Sequence, residues 1–385
     1  MKIAHVLTRL QRSGSERNIA HFVAWQQAHG HEVLVIAGPQ PDASLLPSGV
    51  KVVVLPHLVR QLAPTHDRRA MFELGGVLDA ERCDVLHTHQ SKAGVLGRLM
   101  RHPQDRLVVH TVHMPSFGPA YGRKSAVFKA IERRCAKRTD LLLTVGEEMR
   151  ELYLAAGIGS PSMYRVLRSP IDVDAFARAR KASEADRRAA RRRLGLDPAR
   201  PTLLAVGALE ARKRHGLAIS AVRPLIEQEQ VQLVIAGEGP ERARLEQLAG
   251  QLGLGGSVHL VGHLHDMQTA FVAADVMVHT STTEGVAQVV VQSLAAGVPV
   301  VSTSVEGIQE IGAACTVSTD PDGFGLTDQL RSTLYALPAP CDLETLAPWR
   351  ASNVEQGIDV FHDDMRALLH ERRRQPAPLI RAGRG

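Results

Sequence analysis

Glu284 and Gln292 lie in the stretch Thr283 to Gly297, a polar, glycine-containing turn followed by a helix-forming run, with Glu284 where the helix begins and Gln292 about two turns further in. A helix start offers unpaired N–H groups and positive potential, which suit an anion. A carboxylate beside those amides accepts hydrogen bonds from hydroxyls, so the stretch points to a ligand with both phosphate and sugar. A second group, Gly207 to Lys213, ends in the adjacent cations Arg212 and Lys213. Such a pair can neutralise a departing diphosphate without a metal. His89 and Lys92 follow an apolar run that ends at His87, and His113 ends another. Gly14 occupies the first turn after the opening apolar run, where a glycine lets backbone approach a ligand closely.

These residues need elements to hold them. Apolar runs at Ile3–Thr8, Glu32–Ala37, Lys51–Leu55, Asp84–His87, Leu107–Val112, Leu141–Val145 and Tyr164–Leu167 read as strands, separated by amphipathic helical stretches. After the charged run Glu184–Arg193, a second alternating series begins at Thr202–Val206. It continues through strands at Gln232–Ala236, Ser257–Val261, Val276–His279, Val298–Val301 and Cys315–Ser318. Two such blocks in 385 residues predict two doubly wound parallel sheets of α/β class. Polar residues at the carboxyl ends of parallel strands face the ligand crevice, which makes His89 and Lys92 candidates for acceptor binding. A cleft between the two domains is the expected ligand site.

Composition excludes other classes. Aromatics make up 4% of the chain and no zinc spacing occurs, so nucleic acid is not an expected partner. Cys83, Cys135, Cys315 and Cys341 are scattered and read as reduced cytosolic thiols. No signal-peptide core and no apolar run of about eighteen residues is present, which predicts a soluble or peripheral protein. The net charge of +6 is uneven, with Arg98, Arg101, Arg106, Arg123, Lys124, Lys129, Arg133, Arg134 and Lys137 close together in sequence. A basic face on the first domain suits an anionic membrane surface or a phosphorylated acceptor. Asp172 and Asp174 form a D-x-D triplet, but no second carboxylate cluster supports a metal site there, so none is expected.

The Glu284 stretch resembles the Glu-(seven residues)-Glu signature of glycosyltransferase family 4, retaining enzymes of the GT-B fold, with Gln292 in the place of the second Glu. The resemblance covers nearly the whole chain and is strongest over residues 201–312. It implies that Glu284 contacts the transferred sugar and Gln292 the ribose, with Gly285, Val286, Ala287 and Gln288 also against the donor. Ser13-Gly14-Ser15-Glu16 is similar to the family's Gly-Gly-Ala-(Glu or Gln) turn, which lies against donor and acceptor, and His113 matches a histidine over the sugar. Lys213 matches the family's phosphate-binding lysine; Ala208 replaces its arginine, for which Arg212 is the substitute. The turn at Gly262 and Leu264 resembles the one that reads the nucleotide base. Ser169-Pro170-Ile171-Asp172 resembles the family's Asn-Gly-Ile-Asp turn before the linker.

The implied organisation is an acceptor-side Rossmann-like domain at 1–180, a nucleotide-sugar domain at 181–355, a helix crossing back at 356–371 and a disordered basic tail at 372–385. The implied activity is retaining transfer from a UDP-, GDP- or ADP-linked sugar to a glycan or glycolipid, without a cofactor, in lipopolysaccharide or surface polysaccharide synthesis. The expected location is the cytoplasm or the inner face of its membrane. Two rivals share the fold: a nucleotide-sugar 2-epimerase, which needs no acceptor, and a catalytically silent partner, to which the departures at Gln292 and Ala208 would point. A dehydrogenase is disfavoured because neither Gly14 nor Gly237-Glu238-Gly239 belongs to a full G-x-G-x-x-G.

Overall fold

The computed structural model describes residues 1–11, 14–311, 315–318 and 323–374. The chain divides into two compact units, Met1–Arg168 with Val354 onward, and Ser169–Asn353.

The first unit is built on seven parallel strands: β1 (Lys2–Leu7), β2 (Glu32–Ala37), β3 (Lys51–Val54), β4 (Val85–His89), β5 (Leu107–Val112), β6 (Leu141–Thr144) and β7 (Tyr164–Val166). Their order in the sheet is β3-β2-β1-β4-β5-β6-β7. Strands covered on both faces require apolar residues on both, which is why these runs are nearly continuous in Val, Ile and Leu. On one face Ile3, Val85, Val109 and Leu143 pack with Phe22 and Trp25 of helix Gly14–Ala28, and with Val354, Ile358 and Phe361 of helix Ala351–Arg374. On the other, Ala4, Val6, Leu34 and Leu86 meet Leu74 and Leu78 of helix Pro64–Ala80 and Ala93 and Leu96 of helix Ser91–Leu99. This last helix begins two residues after β4. Its glycines let it lie close to the sheet: a Cβ on Gly94 would fall 2.5 Å from His110 Cε1, and one on Gly97 2.6 Å from Thr88 Cγ2.

The second unit carries six parallel strands, β8 (Thr202–Val206), β9 (Gln232–Ala236), β10 (Val258–Gly262), β11 (Val276–His279), β12 (Val300–Thr303) and β13 (Cys315–Ser318), in the order β10-β9-β8-β11-β12-β13. Its core joins Leu203, Leu233, Ile235 and Val278 to Ile219 and Val222 of helix His215–Glu229. In each sheet the order reverses once, between β1 and β4 and between β8 and β11. Such a switch point opens a crevice at the carboxyl ends of the strands.

Two expectations about boundaries are corrected. The second unit begins at Ser169 rather than 181, because the stretch after β7 is bound into it. Ile171 N–H donates to Trp349 O at 2.8 Å, Phe176 sits edge-on to Phe271, and the Arg180 guanidinium donates to the carbonyls of Leu294, Ala295 and Cys341 at 2.7–2.8 Å. At the other end, the last helix continues through Arg374, so 372–374 are not tail. Arg372 donates to Arg106 O at 2.8 Å and pairs with Asp140, and Arg373 pairs with Asp84. The rest of the expected tail, 375–385, lies outside the described residues.

Candidate active site

The second unit's switch point gathers most of the sequence candidates. The loop after β8, Gly207–Arg214, and the loop after β11, Thr280–Ala287, are tied together through their backbones. Thr282 N–H donates to Arg212 O at 2.9 Å, Thr280 Oγ1 to Lys213 O at 2.9 Å, and Arg214 Nε to Thr280 O at 2.8 Å. Arg214 takes a left-handed conformation, φ 47°, which ends the short turn Ala211–Lys213 and starts the next helix. The Lys213 stem crosses Gly207, where a Cβ would lie 3.1 Å from Lys213 Cε.

These ties place Lys213 on Glu284. The two form a close ion pair with side chains 12% and 8% exposed, while Arg212 Nη1 and His279 Nε2 each stand 3.6 Å from the Glu284 carboxylate. Burial alone would push the Glu284 pKa up, but Lys213, His279 and Arg212 together hold it well below the ordinary carboxylate range. The carboxylate is therefore ionised and acceptor-only. His279 is oriented by Ser302 Oγ at 2.9 Å and Ser281 Oγ at 3.1 Å, and burial lowers its pKa. Sequence reasoning passed over His279, although its place at the end of an apolar run was the same signal that marked His89.

Three buried polar atoms in or directly after these loops lack a hydrogen-bond partner: Arg212 Nη1, Thr283 Oγ1 and, at the start of helix His215–Glu229, His215 Nδ1. A buried donor or acceptor left without a partner costs about 1–3 kcal/mol. Their clustering at one switch point, beside an ionised carboxylate, gives the loops capacity to bind a polar ligand. Arg212 also donates to Glu210 Oε2 at 2.9 Å, which holds its guanidinium over the loop.

The helix expected to start near Glu284 begins at Gln288, capped by Ala287. Glu284 lies in the loop before it, drawn toward Lys213. Gly285, Val286 and Ala287 share that loop and are buried. Gly307 presses on it from behind, since a Cβ there would come 2.5 Å from Gly285 O. Gln292 lies half-buried one turn into the helix. Gly262 ends β10 and Leu264 follows it, in a ledge stitched to the neighbouring loops: Gly237 N–H donates to Gly262 O at 2.8 Å and Gly207 N–H to Ala236 O at 3.0 Å. The stitching demands glycine, because a Cβ on Gly237 would fall 1.9 Å from Gly207 O.

At the first unit's switch point the candidates fare differently. Ser13 lies outside the described residues, and Gly14 begins helix Gly14–Ala28. Lys92, a candidate for acceptor binding, bonds Gln61 O at 2.6 Å and pairs with Asp67, bracing helix Pro64–Ala80. His89 is not a loop residue: it is the last residue of β4, 1% exposed, hydrogen-bonded to His5 and to His113. His113 follows β5, and burial pushes its pKa down to about 4. Gln90, not among the candidates, clamps the crevice: its Oε1 accepts from Thr8 N–H and Arg9 N–H at 3.0 and 3.1 Å, and its Nε2 donates to Glu16 at 3.0 Å. It does so at φ 60°, a conformation that no sequence pattern announced.

Ligand nitrogens of His5, His87 and His89 lie within 4.8 Å of one another, but both nitrogens of His5 are already hydrogen-bonded. Asp172 caps helix Val173–Ala177 and Asp174 pairs with Arg350 at 3.6 Å, so the D-x-D triplet is used structurally.

Each unit is thus a parallel sheet that reverses once, and the second holds a buried carboxylate among cations at its switch point. The family model described as Glycosyl transferase 4-like domain matches residues 13–170, and that described as Glycosyl transferases group 1 matches 186–314. The chain belongs to glycosyltransferase family 4, with the GT-B fold. It is 27% identical over 332 residues, 84% of this chain and 83% of the relative, to the UDP-Gal:alpha-D-GlcNAc-diphosphoundecaprenol alpha-1,3-galactosyltransferase of Escherichia coli. Among solved structures it is similar to Anabaena HepE in complex with UDP-glucose, with a TM-score of 0.78 at 19% identity, covering 94% of this chain and 100% of that one. It is also similar to WaaG, a glycosyltransferase involved in lipopolysaccharide biosynthesis, with a TM-score of 0.70 at 20% identity over 96% and 98% of the chains.

Proposed function

We propose that the protein is a retaining glycosyltransferase that moves a sugar from a UDP-linked donor to a lipid-linked or polysaccharide acceptor of the bacterial surface. The observation that carries this is the second unit's switch point, where Arg212 Nη1 and His215 Nδ1 have no hydrogen-bond partner beside the Lys213–Glu284 pair. The donor diphosphate binds Arg212 and Lys213, and Lys213 turns from Glu284 toward phosphate as it does so. Glu284, released, accepts hydrogen bonds from sugar hydroxyls. Gln292 bonds the ribose, and the ledge at Gly262 and Leu264 meets the base.

The acceptor hydroxyl attacks the anomeric carbon on the face the diphosphate leaves. The carbon–oxygen bond to the diphosphate breaks, the bond to the acceptor forms, and the hydroxyl proton passes to the departing phosphate oxygen. Two fixed cations supply the charge stabilisation that a divalent ion gives elsewhere. UDP as the carrier is supported by the likeness to UDP-glucose-bound HepE, and a lipid-linked acceptor by the likeness to the E. coli galactosyltransferase. No helix among the described residues is long and apolar enough to cross a membrane. We assign the exposed cations Arg123, Lys124, Arg134 and Lys137 of the first unit to contact with an anionic lipid surface.

Thermal-shift titration with UDP, GDP, ADP and their sugars, with and without EDTA, tests the reading. The expected result is stabilisation by UDP and UDP-sugars that EDTA leaves unchanged. No shift with any nucleotide would overturn it, and a shift abolished by EDTA would overturn the metal-free mechanism.

A further inference from the structure

Between the first sheet and the two helices that cover it runs an unbroken line of hydrogen bonds through five side chains. His362 Nδ1 is 2.8 Å from Ile358 O, and His362 Nε2 is 3.1 Å from Gln26 Nε2. Gln26 Oε1 is 2.7 Å from His5 Nε2, His5 Nδ1 is 2.9 Å from His89 Nε2, and His89 Nδ1 is 3.1 Å from His113 Nε2. His5, Gln26, His89 and His362 are at most 1% exposed. The line ends at His113 Nδ1, which is shielded from solvent and has no hydrogen-bond partner.

Its sense is fixed at one end. A peptide carbonyl only accepts, so His362 carries its proton on Nδ1 and offers a lone pair at Nε2. Gln26 must donate to that lone pair through its amide nitrogen, which turns its oxygen toward His5. His5 then donates from Nε2 and accepts at Nδ1, His89 donates from Nε2 and accepts at Nδ1, and His113 donates from Nε2. Each imidazole in such a line is neutral, and burial favours that form in all four histidines. The opposite sense would require an imidazolium at His362 and leave a buried N–H without an acceptor at His113, which costs more than an unused lone pair.

We propose that Gln26 and His362 are positioning residues that set the tautomer of His113, fixing its proton on Nε2 and leaving Nδ1 as a hydrogen-bond acceptor. The Ile358 carbonyl, on the last helix, is the reference for the whole line. A ring so fixed takes a ligand hydroxyl and rejects a phosphate oxygen, which can only accept. This consequence for sugar binding rests on the transferase reading above; the tautomer itself does not.

The test is long-range proton–nitrogen NMR on the full chain labelled with 15N-histidine at pH 7.5, with His113→Gln assigning the resonance. The expected wild-type pattern is a protonated Nε2 and an unprotonated Nδ1 at His113. Gln26→Leu, which breaks the line, is expected to give a mixture of tautomers. Gln26→Glu keeps an acceptor for His5 and should retain the wild-type pattern. A proton on Nδ1 in the wild type would overturn the proposal, as would an unchanged pattern in folded Gln26→Leu. If Gln26→Leu shows no melting transition, the wild-type spectrum decides alone. The measurement uses neither donor nor turnover, so it can fail while the transferase reading stands, and the reverse.

Discussion

Glu284 and Lys213 were separate candidates in the sequence, one for hydroxyls and one for phosphate, and the fold pairs them. The pair keeps each charge compensated, and under the function proposed above an arriving diphosphate competes for the lysine. Glu284→Gln keeps the shape but loses the charge, and transfer should fall about 100-fold or more, read as kcat/KM with UDP-sugar; retention of full turnover would remove Glu284 from the site. Arg212→Ala removes the donor whose Nη1 has no hydrogen-bond partner, and UDP affinity should weaken by about 10–100-fold in calorimetric titration. Gln292→Glu restores a carboxylate opposite ribose and should leave UDP binding equal or tighter, because charge-assisted hydrogen bonds are the stronger ones. The turns carrying Glu284 and Lys213 were legible because each follows an apolar run in the sequence; their pairing was not. Lys92 was not: nothing near it in the chain shows that Asp67 and Gln61 O claim its ammonium. The burial of His89 was not legible either, since its partners, His5 in β1 and His113 after β5, lie far from it in sequence.

At the scale of elements, the strands were the clearest reading, because a parallel sheet covered on both faces leaves long runs of Val, Ile and Leu. Helix Ser91–Leu99 was missed. It is short, and Gly94 and Gly97 read as turn residues when judged by propensity alone. Tertiary packing reverses that judgement, for those glycines are what let the helix approach β4 and β5. Gly94→Ala should therefore destabilise the first unit by about 1–3 kcal/mol in urea, despite alanine's better helix propensity. An unchanged or raised midpoint would show that His110 can move aside. The loop Glu284–Ala287 was misread the other way, as helix, because its small apolar residues continue the composition of Gln288–Ala295.

Over the whole molecule, the buried imidazoles set a pH dependence. His5 and His362 have ordinary values of 6.5, lowered by burial to about 4 and about 3 in the folded chain. Below 6.5 the unfolded chain binds protons that the folded chain does not, so stability is complete above that pH and declines as pH falls toward 4. The Tm should drop across that window, and replacing His5 with Gln should flatten the drop; an unchanged slope would show that other groups carry it. Glu284 works in a more acidic range: its depressed pKa contributes stability above the ordinary carboxylate value, which is lost as pH falls below it. The division of the chain has a consequence for synthesis. The second unit is one continuous segment, 169–353, while the first needs Val354, Ile358, Phe361 and Met365 from the far end to complete its core. On the ribosome, the usual rule that N-terminal domains finish first is inverted. The opening 168 residues must wait, one face of their sheet only partly covered, until the last helix emerges, and nascent chains released before residue 354 should be the protease-sensitive and chaperone-bound ones.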